Sequence, residues 1–209
     1  MQISVIIAVL IGVGAFILFL RYLHSNVNNN EHVVSRIYVD NHVLEFEETE
    51  IIIDSKKNNN IHIGHLEELI EVLNRCAFYK EIYSNYKIYV AINNILKTPL
   101  LTKYIHKETF SQVELTNFRE ELQFGGCFFE TFDDIAMVHA IGSTSAILDM
   151  CSELHDKDEI IRVSNKWEKQ NYLVTAIASG DVYGDKKNVL TRGVKEKMTF
   201  LGLLAIKNS

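Results

Sequence analysis

Cys127-Phe-Phe-Glu-Thr-Phe-Asp-Asp-Ile-Ala-Met-Val-His-Ala-Ile141, running straight into Gly142-Ser143-Thr144, sets the organisation of this chain. Two apolar runs flank Asp133-Asp134, whose short carboxylates favour a turn, so a hairpin is expected over 127–141. Gly142 then interrupts the strand and Ser143-Thr144 offers an N-cap oxygen, which predicts a helix to about Leu154. A second helix is expected near 157–170, carrying the single Trp167, and Tyr172 to Ala178 reads as a strand. Lys197 to Lys207 is a further strand-like run.

Upstream the pattern changes. Residues 64–80 place apolar side chains at 66, 69, 70 and 73, the spacing of an amphipathic helix. Another helix is expected near 86–97, closed by Thr98-Pro99, and a third over 111–122. Arg36 to Phe46 alternates about Asp40-Asn41, a hairpin signal, and Ile51-Ile52-Ile53 is a buried-strand run ending at Asp54. Strands and helices mix without regular βαβ alternation, so the expected class is α/β or α+β.

Ile3 to Leu20 contains no charge in 18 residues, a length that spans roughly 27 Å against a hydrocarbon core of ~30 Å. The expectation is a single transmembrane anchor over 1–24, with Arg21 favouring a cytoplasmic C-terminal side. Residues 25–60 follow as tether, hairpin and strand, and 61–209 as the main module. The composition of the whole chain is that of a folding protein: 47% hydrophobic, 10% aromatic and one proline. A formal net charge of −6 makes it a poor match for a phosphate backbone, so no nucleic-acid partner is expected. Three cysteines without a CxxC argue against a disulfide scaffold and a zinc ribbon.

The residues themselves show no readable active site. His62 and His65 lack a zinc spacing and read as a solvated helix start, so no metal site is expected. Gly125-Gly126 lacks the strand-then-helix context of a phosphate cradle and reads as a bulge or turn. Cys127 and Cys151 have no visible activator and read as packed thiols. Asp54, at a strand's C-terminal end, is where a phosphoryl-accepting nucleophile can sit, with a turn or cap as the structural alternative.

From about 110 to 209, and more loosely from about 50, the order of segments resembles the nucleotide-binding (N) domain region of cation-transporting P-type ATPases. Lys197-Met-Thr-Phe-Leu-Gly-Leu-Leu-Ala-Ile206 is similar to the family's "LTFLG" return strand into the phosphorylation (P) domain. Ile141 to Cys151 is similar to the KGAPE-x-[IL]-L-x-x-C segment, Glu168 to Ala178 to the "GYRVLALA" segment, and Glu121-Leu-Gln-Phe124 to "E-L-P-F". The resemblance implies an N-domain-like antiparallel sheet with packed helices, flanked by remnants of P-domain strands.

It also implies that Phe124 would stack on adenine, with Gly142 beside the nucleotide. The family's two nucleotide-gripping cations are replaced by Ile141 and Leu173. Each lost charge-assisted bond costs ~1.5–3 kcal/mol, so any ATP binding would be weak. The DKTGT segment is reduced to Asp54-Ser55-Lys56, and no GDGxND follows. Asp54 is thus a degenerate phosphorylation position, and no catalytic residue is implied. The expected function is a membrane-anchored, degenerate N-domain-like pseudoenzyme that interacts with or regulates a membrane transporter or companion ATPase chain. Two alternatives stay open: one piece of a split cation-transporting pump, or an unrelated single-pass binding protein.

Overall fold

The computed structural model describes residues 33–47, 50–53, 63–102, 113–130, 136–152, 154, 156–182 and 198–207. Within one compact unit these form eight strands: β1 Val34–Val39, β2 His42–Glu47, β3 Glu50–Ile53, β4 Val113–Arg119, β5 Phe124–Glu130, β6 Ala136–Gly142, β7 Tyr172–Val182 and β8 Thr199–Lys207. The helices are α1 Ile63–Cys76, α2 Tyr86–Leu96, the short α3 Pro99–Thr102, α4 Thr144–Met150 and α5 Lys157–Lys169, with a 3-10 turn at Lys80–Ile82.

All eight strands join one sheet in the order β3-β2-β1-β8-β7-β6-β5-β4, and every neighbouring pair is antiparallel. Its centre is β8, where six successive residues, Leu201 to Ile206, are buried. A strand apolar on both faces needs cover on both. The helices supply it. Leu69, Ile70 and Leu73 of α1 and Ile88, Ile92 and Ile95 of α2 close one core. Ile147 and Leu148 of α4 and Ile160, Val163 and Trp167 of α5 close the other.

Two irregularities set which side chain enters which core. Leu201 belongs with Leu204 and Ile206, whereas Leu203 and Ala205 face the opposite layer. The β7–β8 register shift beside Gly202 accounts for this exchange of faces, as expected where an extra residue is inserted in one strand. In β4, Asn117 and Phe118 lie where the pairing with Gly125 is interrupted, so the glycine pair sits at a bulge.

The expected fold class is corrected by these observations. With no parallel pair between named strands, the sheet is not of the α/β kind. Nor are β3 and β8 remnants of a second domain: β1 and β2 lie between them in the same antiparallel sheet. The expected single-pass membrane localisation is corrected as well. Among the described residues no helix is long and apolar enough to cross a membrane. The anchor expected over residues 1–24 lies outside the described residues, so no spanning helix supports that localisation. α1, at 14 residues, is amphipathic and too short by about a third.

A third correction concerns 111–122, expected as a helix. Val113 to Arg119 is a strand against β5, with Val113 opposite Phe129 and Leu115 opposite Cys127. Pairing with a neighbouring apolar strand overrides the weak local periodicity. The Asp40-Asn41 hairpin and the cap at Ser143, whose Oγ accepts from the Ala146 amide at 3.3 Å, match expectation.

Candidate functional site

Phe124, Ile141 and Leu173, the positions that would frame a nucleotide, do not share a face of the sheet. Phe124 is 3% exposed and packs in the α4–α5 core. Ile141, on the adjacent strand opposite Gly125, points into the α1–α2 core, and Leu173 packs against that same core. Leu173 also lies four residues from Ile177, the β7 partner of Ile141. That separates them by roughly 13 Å along the strand. Gly142 is buried where an added Cβ would meet Phe124 Cβ at 2.6 Å and Cα at 2.8 Å, so its role is close packing. The structure brings Phe124 and Gly142 together and parts them from the other two. Asp54, His62, Asp133 and Asp134 lie outside the described residues.

A different set of side chains converges beside the β1–β2 turn. Asp40 and Asn41 both occupy the left-handed region, with φ of 50° and 63°. Two such residues make the tight connection that matches the twist of paired strands, and Asp and Asn tolerate it best among residues with a Cβ. The turn stands over a cleft of about 440 Å³ that also takes His65 from α1, Asp156 and Ile160 at α5, and Thr199 and Phe200 from β8. Ser152 and Leu154, between α4 and α5, also line it.

Hydrogen bonds order these groups. His65 Nδ1 donates to Asp40 Oδ1 at 2.5 Å, and the Asp40 carbonyl accepts from His42 Nδ1 at 2.5 Å. The second carboxylate oxygen, Asp40 Oδ2, is buried without a hydrogen-bond partner. On the other side Tyr38 Oη donates to Asn41 Oδ1 at 2.6 Å, and Asn41 Nδ2 donates to Asp156 Oδ2 at 2.7 Å. Burial, reinforced by the Glu159 and Asp156 carboxylates, pushes the Tyr38 phenol up to about 12, so it stays a donor near neutrality. Two carboxylates therefore face one cleft beside a single imidazole, an arrangement that favours a cationic donor over an anion.

Asn41 ties the turn to α5, a link across 115 residues of sequence. Asn41→Ala removes both bonds and places a less suited residue at φ 63°. A loss of about 1–2 kcal/mol in urea unfolding is expected, most of it from the two hydrogen bonds. An unchanged midpoint would show that the link contributes nothing.

In the sequence Asp40-Asn41 reads as a turn and His65 as a solvated helix residue, and nothing local singles out Asp156. The signal that joins them is long-range pairing, which no local pattern carries. Comparison of the sequence with protein-family models finds no match, and comparison with curated proteins finds none. Among the described residues no group of three or more His, Cys, Asp or Glu side chains could hold a metal ion.

Proposed function

We propose that this chain works as a binding module, and that its ligand seat is the cleft beside the β1–β2 turn. The ligand class is a small organic cation, an amine or guanidinium group, carried by a free compound or by a partner's side chain. The observation that supports it is the Asp40 carboxylate: one oxygen is fixed by His65 and the other is buried without a donor. An unpaired buried acceptor costs about 1–3 kcal/mol, more if charged, and a ligand N–H that reaches it recovers that cost. Asp156, which lines the same cleft and is already oriented by Asn41, supplies the second acceptor.

An interaction or regulatory role fits a seat of this kind. Nucleotide binding at Phe124 is not part of the proposal. The ring is 3% exposed, and stacking worth ~1–3 kcal/mol does not offset extracting it from the core.

Titration calorimetry with agmatine, which carries both an amine and a guanidinium, tests the seat. Asp40→Asn is the informative variant, because asparagine accepts the left-handed turn and keeps the fold while removing the charge. Loss of one charge-assisted bond predicts at least about a tenfold weaker Kd, and Asp156→Asn the same. Equal agmatine affinity in wild type and both variants, or no agmatine binding at all, would overturn the proposal.

A further inference from the structure

We propose that Cys76 and Cys127 are a modification site, a thiol pair that closes to a disulfide when the chain folds in the presence of a small-molecule disulfide. Cys76 ends α1 and Cys127 lies in β5, and their Sγ atoms stand 3.0 Å apart. Both residues are fully buried in the same core. A disulfide needs about 2.05 Å between the sulfurs, so closure asks for roughly 1 Å of approach from two side chains that already face each other. Cys151 packs against the opposite face of the sheet and is kept from both. Three cysteines allow three pairings, and the fold permits one of them.

The chemistry balances as two thiol–disulfide exchanges. The thiolate of one cysteine attacks a sulfur of the small disulfide, breaking its S–S bond and releasing one small thiolate, which takes up the cysteine's proton. The second cysteine then attacks the protein-bound sulfur of the mixed disulfide, releasing the second small thiol. The two cysteines are oxidised and the small disulfide is reduced to two thiols. Burial pushes the Cys76 thiol well up, so the first attack belongs to the folding chain rather than to the closed core. The closed core in turn disfavours the mixed disulfide, because it leaves no exposed room for the adduct.

The bond would join a helix and a strand separated by 51 positions in sequence. Closing a loop of that size stabilises the fold, and a rise in Tm of about 5–15 °C is expected.

The test is refolding of the full chain in a buffer of reduced and oxidised glutathione, followed by acid quench, alkylation and peptide mass mapping. The expected product has lost two hydrogens, contains a peptide linking Cys76 to Cys127, and retains Cys151 as the one alkylated thiol. The half-exposed position allows Cys151→Ala as a companion variant, which should give the same cross-link. Reduction should return both proteins to the lower Tm. Three alkylated thiols, a link through Cys151, a retained glutathione adduct, or a cross-link that leaves Tm unchanged would each overturn the proposal.

Discussion

Between pH 7 and pH 5 this fold is expected to lose about 2 kcal/mol of stability through one side chain, His139. His139 is fully buried, and Arg75 Nη1 stands 3.3 Å from its Nε2. Arginine only donates, so Nε2 must accept, which leaves Nδ1 to carry the proton and donate to Ser179 Oγ at 3.0 Å. The ring is thereby fixed as a neutral tautomer. Burial first, then the Arg75 charge, lowers its pKa from 6.5 to about 3. The sign follows from which state binds the proton. Above pH 6.5 both folded and unfolded imidazoles are neutral and the term vanishes. As pH falls the unfolded chain takes up a proton that the folded ring refuses, so stability drains from 6.5 down to about 3. Urea unfolding at pH 7, 6 and 5 reads this directly. His139→Gln should flatten the profile by about 2 kcal/mol over that range, and parallel profiles would contradict the assignment.

Gly125→Ala is the second large effect, an expected loss of about 3 kcal/mol or more in denaturant unfolding. A Cβ at Gly125 would collide with the Ile82 carbonyl oxygen and lie 2.7 Å from the Ile82 carbonyl carbon and Cα. Every one of these atoms is backbone, so no rotamer change relieves the contact. Either the 3-10 turn at Lys80–Ile82 withdraws or β5 leaves its ladder, and both carry buried residues such as Ile82 and Cys127 out of the same core. The loss should appear as a lower midpoint with an unchanged denaturant slope. A variant as stable as wild type would mean that the 3-10 turn does not pack on this strand.

These two sites show what the sequence could and could not reveal. His139 lies in a run that reads plainly as a strand, but its partners are 64 and 40 positions away. Gly125-Gly126 reads as a bulge, which the interrupted register bears out, but not as the seat of a backbone from another segment. Elements with strong local signals were legible: the Asp40-Asn41 turn, the 3.6-residue stripe of α1, the Ser143 cap and the apolar β8. Val113 to Arg119 misled because its alternation is short and its order comes from β5. The nucleotide-like positions misled for a related reason. Spacing in sequence fixes neither the face of a sheet nor the bulges that exchange faces, and Phe124 and Ile141 fall on opposite sides. The Asp40–His65 and Asn41–Asp156 pairs lie beyond any local window, so the cleft they build was not legible at all.

The claim that the working surface is the cleft beside the β1–β2 turn, and not the Phe124 region, is tested most directly by amide correlation spectra of the full chain titrated in parallel with agmatine and with ATP. Agmatine should shift the amides of Asp40, Asn41, His65 and Asp156 while those of Phe124 and Gly142 stay in place, and ATP should move neither group. Saturable shifts centred on Phe124 and Gly142 with ATP, together with an undisturbed turn in agmatine, would contradict the account.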